Sequence, residues 1–123
     1  MTPVAAAPPK TETRPAWSPD VSSARRAAER AMHAASVARD WAERAGAGQP
    51  EAADAARAAE RAWDAAMRSR VATDPAEVRQ HAAEAIAAAE CALEADRRVS
   101  QAIAASLWAA EDRRHREQLE SAA

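Results

Sequence analysis

The longest regular stretch of the chain covers residues 73–121 and reads TDPAEVRQHAAEAIAAAECALEADRRVSQAIAASLWAAEDRRHREQLES. It opens with Asp74 as a helix N-cap, Pro75 at the first helical position and Glu77 placed to complete a capping box. No glycine or proline follows Pro75, so the stretch predicts one helix over residues 75–120. A helix of about 45 residues is roughly 68 Å long at 1.5 Å per residue, which exceeds what a short compact domain needs.

One residue interrupts the apolar stripe of this helix. Asp96 takes a seam position, and a buried carboxylate without a partner costs several kcal/mol. We therefore expect Asp96 to pair with an arginine, to reach water or to mark the end of the bundle. The alternative is a break between Asp96 and Ser100 that folds residues 101–119 back as a fourth helix. No glycine or proline lies there, which favours the continuous helix.

Composition predicts an all-helical chain. Phe and Tyr are missing, and alanine supplies about a third of the 123 residues, a composition that disfavours strands. The formal net charge of −2 creates no long-range field toward nucleic acid or an anionic membrane. The excess of arginine over lysine, together with the alanine content, is typical of the GC-rich genome of a high-GC bacterium.

Two shorter helices precede the long one. The first is predicted over residues 19–45 and ends at Gly46 and Gly48, and the second over residues 50–71. Both carry alanines in the three- and four-residue steps of a coiled-coil seam, namely Ala24, Ala28, Ala31, Ala35, Ala38, Ala42 and Ala45, then Ala52, Ala55, Ala59, Ala62 and Ala66. The predicted fold is all-α: a three-helix antiparallel bundle with alanine-rich, coiled-coil-like seams and an overlong third helix, spanning residues 18–121.

The first 17 residues are rich in proline and alanine and show no helical period. We expect residues 1–17 to form a disordered arm. Trp17 directly precedes the expected start of the first helix at Ser18-Pro19. It is placed either to pack back onto the first helical turn or to anchor a partner.

Residues that could carry chemistry are few and scattered. His33, His81, His115 and Cys91 are never three or four residues apart, so the spacing of a metal site on one helix face does not occur. We predict no metal, no cofactor, no identifiable small-molecule ligand and no enzymatic activity. A single cysteine permits no intrachain disulfide, and no stretch has the character of a signal peptide or membrane span, so we expect a cytoplasmic protein.

The larger apolar residues near the end of the long helix predict an interaction surface. The two shorter helices cannot cover Ile103, Leu107 and Trp108, and soluble proteins normally bury such a strip. Tryptophan is enriched at binding hot spots; we expect Trp63 to lie in the core and Trp108 at an interface. The predicted partner interface comprises Ile103, Leu107, Trp108, Trp41 and Trp17.

These observations predict a non-catalytic helical protein–protein interaction or assembly protein that self-associates as a homodimer or binds a helical partner. The alternative is a small regulatory or immunity-type protein that binds and blocks one target. A nucleic-acid-binding accessory protein ranks third, since acidic residues surround the basic cluster at residues 113–116, which disfavours phosphate contacts.

Overall fold

The computed structural model describes residues 19–122. In this range the chain forms three helices and no strand: α1 (Val21–Ala45), α2 (Gln49–Val71) and α3 (Pro75–Ala122). The hairpin of α1 and α2 packs against α3, which contacts both helices. The all-α, three-helix antiparallel bundle with an overlong third helix is therefore confirmed. The predicted arm and Trp17 lie outside the described residues.

A reciprocal cap sets the start of α1. The Ser23 backbone N–H donates to Asp20 Oδ1 at 2.7 Å, and the Asp20 backbone N–H donates to Ser23 Oγ at 3.0 Å. Two donors that a helix start leaves unpaired are thereby satisfied. The helix consequently begins at Val21, two residues later than the sequence predicted.

The bend between α1 and α2 uses both glycines of the chain in left-handed conformations. Gly46 has φ +67° and donates its N–H to the Ala42 carbonyl at 2.9 Å, whereas Gly48 has φ +86°. A Cβ atom on Gly48 would lie 3.2 Å from Val99 Cγ1. Glycine at this position therefore lets the bend pack directly on α3.

Alanine forms almost the entire core. Apart from Val99, every buried hydrophobic residue of the described chain is an alanine. Methyl groups fill an interface without voids only when the helix axes approach more closely than the usual 8–10 Å. The buried set covers most of the predicted seam positions and adds others: Ala24, Ala27, Ala28, Ala31, Ala35, Ala38, Ala42, Ala52, Ala55, Ala58, Ala59, Ala62, Ala65, Ala66, Ala82, Ala85, Ala89, Ala92 and Ala95.

The buried stripes are wider than the predicted two-position seams. Ala27, Ala58 and Ala65 are buried in addition, while Ala45, predicted in the seam, is exposed. A seam of two positions per heptad serves one neighbouring helix. In this bundle each helix faces two neighbours, and a third position per heptad becomes buried.

Helix α3 continues through Asp96–Ser100 without a break, so the fold-back into a fourth helix is wrong. Ala95 takes the buried position, and Asp96 is partly exposed. Three residues fall about 60° short of a full helical turn, so the step from Ala92 to Ala95 shifts the buried stripe away from Asp96. The Asp96 side chain is therefore partly exposed.

Trp63 is not a core residue, contrary to the prediction. Its side chain is 37% exposed, and the largest fully buried side chain is that of Val99. Helices that approach on methyl groups leave no gap of indole size between them. Ser69 is a buried polar residue that the sequence did not predict, and its hydroxyl donates to the Ala66 carbonyl at 2.7 Å.

Candidate association surface

The bundle ends near Ile103, well before α3 does. A small core cluster of Ala38, Ala42, Ala52 and Val99 lies at the bend, and Ile103 packs against it, partly buried. Beyond Ile103 every residue up to Ala122 is exposed except Ala110, which is partly buried. We call residues 104–122 the projecting segment. At 1.5 Å per residue it extends roughly 28 Å beyond the hairpin.

A groove lies where the projecting segment leaves the bundle. It encloses about 260 Å³ between Trp41 of α1 and the side of α3. Trp41 is 56% exposed, and the Arg44 guanidinium lies 5.8 Å from its ring centroid, within cation–π range. The lining is mostly apolar: Ala38, Trp41, Asp96, Val99, Ser100, Ile103, Ala104 and Leu107.

The groove continues onto the projecting segment as one apolar surface. Leu107 is 67% exposed and Trp108 is 71% exposed. With Ala104 and Glu111 they line a second shallow depression, which shares Ala104 and Leu107 with the groove. Apolar side chains therefore extend without interruption from Trp41 to Trp108. A monomeric soluble protein rarely leaves such a strip uncovered.

Past this strip the projecting segment is mostly polar, apart from the exposed Leu119, and it contains an ion pair within the helix. Arg114 Nη2 donates to Glu111 Oε2 at 2.8 Å, across a spacing of three residues. Both side chains are well exposed, and exposed pairs of this kind contribute little to the stability of a monomer. Glu111 belongs both to this pair and to the edge of the apolar strip.

The same ion-pair spacing recurs in residues 75–103 of α3, which pack against the hairpin and which we call the bundle half. Arg97 Nε donates to Glu94 Oε2 at 3.1 Å, and a second guanidinium nitrogen also bonds that oxygen. The Arg97 hydrogen bond and the charge of Arg97 hold the pKa of Glu94 below its usual value, with a smaller contribution from Arg98. Glu94 and Arg97 are exposed and thus offer a bundle counterpart to Glu111 and Arg114.

Four of the five predicted interface residues can be located. Trp41, Ile103 and Leu107 line one groove, and Trp108 lies beside Leu107. Trp17 lies outside the described residues. The structure brings the four together on one surface, whereas their role in association stays a prediction.

Sequence reasoning missed the small residues that shape this groove. Ala38 and Ser100 line the groove, but neither has a large apolar side chain that would single it out in the sequence. A usable signal was present, because Ala38 lies three residues before Trp41 on the same helix face and leaves space beside the indole.

The ionisable residues that could hold a metal are dispersed. Among residues 19–122, no group of three or more His, Cys, Asp or Glu side chains could bind a metal ion. His81 Nδ1 lies 2.8 Å from Glu84 Oε1, and Cys91 is exposed. Within the same range no helix is long and apolar enough to cross a membrane.

Comparison with known proteins assigns the chain to no group. No protein-family model, no curated protein and no solved structure gives a significant match.

Proposed function

We propose that the protein is a non-catalytic helical assembly protein, which associates with another helix through the projecting segment and the adjoining Trp41 groove. The proposal is supported by the exposure of Leu107 and Trp108 on a helix that extends beyond its bundle. Helix α3 has 48 residues, against 25 in α1 and 23 in α2. The described hairpin therefore covers α3 only up to about Ile103 and leaves the projecting segment uncovered.

The chemistry of the surface supports binding to a helix. Its apolar residues recur every three or four positions, as they do where one helix packs along another. Fully burying a leucine or tryptophan that is exposed in the monomer stabilises a complex by roughly 1.5–3 kcal/mol per large side chain. Two such residues beside Trp41 supply a centre of the kind found at binding hot spots.

Light scattering behind size exclusion tests the proposal on the full chain. We expect the wild type to gain mass with concentration and the double variant Leu107→Glu/Trp108→Glu to remain monomeric. These positions are preferable to Ile103, because Ile103 packs against the core cluster at the bend and its replacement also disturbs folding.

The matched control is Met32→Glu/Val71→Glu, which places the same charges on exposed apolar residues far from the groove. It should associate as the wild type does. A wild type that stays monomeric at every concentration, or a control that loses association as fully as the test variant, contradicts the proposal.

A cytoplasmic location is also proposed. It is supported by the single, exposed thiol of Cys91, since exposed free thiols persist in reducing compartments. Recovery of the protein in the cytoplasmic fraction of its host is the expected result. Recovery from the culture medium or from the membrane fraction would contradict it.

A further inference from the structure

We propose that the helix bound by the projecting segment is the same segment of a second copy, packed antiparallel so that Glu111 lies level with Arg114 of the second copy. This inference rests on the proposed function and adds the partner, its direction and its register. The charge order of the segment leads to that register.

The charge order is self-complementary only in the antiparallel direction. Glu111 and Arg114 pair with each other within one helix at 2.8 Å, so both lie on one face. Reversing a second copy places its Arg114 against Glu111 and its Glu111 against Arg114, which makes a closed network of four charges. A parallel pair would instead set Glu111 against Glu111 and Arg114 against Arg114, and like charges at an interface are strongly disfavoured.

The register also defines how the described parts of the two segments overlap. The charge pairing puts the two-fold axis between residues 112 and 113. Residue 122, where the described part of α3 ends, then lies level with Ile103, the last residue of α3 that packs against the core. The described parts of the two projecting segments therefore lie along each other from residue 104 to residue 121.

The face formed in this way follows the rule for antiparallel helix pairs. Residues in alternating three- and four-residue steps make up one stripe: Ala104, Leu107, Glu111, Arg114, Gln118 and Ser121. In antiparallel pairs the two seam positions of a heptad face each other, and here the stripe maps onto itself. Leu107 lies level with Gln118 of the second copy, and Ala104 lies level with Ser121 of the second copy.

The apolar residues at the edge of the stripe are covered in the same arrangement. Trp108 lies within one turn of His115 of the second copy, so the two aromatic rings meet on each side of the axis. Ala104 also lines the groove beside Trp41. Ser121 of the second copy therefore lies over that groove and shields the exposed indole of Trp41.

Charge exchange tests the register. We expect Glu111→Arg alone and Arg114→Glu alone each to raise the dimer dissociation constant at least tenfold, because each creates two like-charge pairs across the axis. An equimolar mixture of the two variants should form a heterodimer of near wild-type affinity, and the double variant Glu111→Arg/Arg114→Glu should again form a homodimer.

The matched controls are Glu94→Arg and Arg97→Glu, which alter an equivalent exposed pair in the bundle half of α3. They should leave the dissociation constant within about twofold, because they lie outside the stripe. Interfaces this short fall at the weak end of the size range, so sedimentation should cover roughly 1–500 μM protein. Failure of the mixture and of the double variant to recover association overturns the register.

A distance measurement tests the direction with the native cysteine. Cys91 is exposed and lies outside the projecting segment, between 21 and 22 residues before the two-fold axis. At 1.5 Å per residue, spin labels on the two copies should be about 65 Å apart. A parallel pair separates the labels only sideways, by a few helix diameters of about 10 Å each.

The outcomes separate the two proposals. A dimer with labels about 65 Å apart supports the antiparallel register. A dimer with a short distance overturns this inference and leaves the assembly function standing. Both proposals are overturned if the wild type is monomeric, so that no distance between labels is observed, and the Glu111→Arg/Arg114→Glu variant is also monomeric at the same concentrations.

Discussion

The two halves of α3 differ in what surrounds them and not in their backbone. Residues 75–103 bury an alanine or Val99 at nearly every turn against the hairpin, whereas residues 104–122 continue the same helix with almost every side chain exposed. Alanine favours the helix in both halves. Helix propensity therefore extends α3, whereas the spacing of buried small residues determines where the bundle ends.

Amide hydrogen exchange along α3 should show the largest difference between the two halves. Amides in the bundle half open only with the whole fold, whose stability is of the order of 5 kcal/mol or more. Amides of residues 110–122 open by fraying of a single helix. We expect protection to differ by at least about a thousandfold at protein concentrations where the chain is monomeric.

The proposed dimer should make the same protection depend on protein concentration. Raising the protein concentration should increase protection in the projecting segment and leave the bundle half unchanged. The Leu107→Glu/Trp108→Glu variant serves as control and should show no concentration dependence. Equal protection along all of α3 in the monomer would contradict the division into two halves.

Overpacking the alanine core should give the next largest effect. Ala62 is fully buried between helices that meet on methyl groups. Ala62→Leu adds apolar volume to this close-packed contact, so we expect a loss of roughly 1–3 kcal/mol in the free energy of unfolding. Denaturant titration followed by circular dichroism measures this loss.

Ala53→Leu provides the control on the same helix. Ala53 is exposed, and substitutions at such sites usually change stability by no more than about 0.5 kcal/mol. If both leucine variants were equally stable, or if Ala62→Leu raised the thermal midpoint, the close-packed alanine core would be disproved.

The sequence predicted the architecture well for a physical reason. Capping residues, the glycines of the bend and alanine spacing are local signals, and they agree with one another. The predicted seams missed Ala27, Ala58 and Ala65 because a seam of two positions per heptad describes one neighbour and each helix here has two. Trp63 was misplaced because its environment depends on how closely the helices approach, a property of the whole bundle.

The candidate surface was predicted only in part for a similar reason. Leu107 and Trp108 follow from helix lengths alone, since the shorter helices cannot reach them. The groove beside Trp41 depends on which residues of α1 and α3 meet at the bend. That pairing is fixed by the contact of Gly48 with Val99, which no local pattern in the sequence specifies.

The contact between Gly48 and Val99 sets the boundary between the two halves and leads to the prediction of smallest effect. Alanine at Gly46 or at Gly48 must adopt a left-handed backbone, at a cost of about 1–2 kcal/mol. Around Gly46 an added Cβ would meet nothing within 4 Å, whereas at Gly48 it would lie 3.2 Å from Val99 Cγ1 and 3.4 Å from the Val99 carbonyl oxygen. Gly48→Ala should therefore destabilise the fold by about 0.5–1 kcal/mol more than Gly46→Ala, a difference typical of coupled contacts.

A double-mutant cycle with Val99→Ala isolates this excess, because removing the Cγ atoms relieves the shorter contact and should lower the cost of Gly48→Ala while leaving that of Gly46→Ala unchanged. Equal costs for the two glycines in the wild-type background would show that the bend does not rest on Val99, and the starting point of the projecting segment would then have to be sought elsewhere on α3.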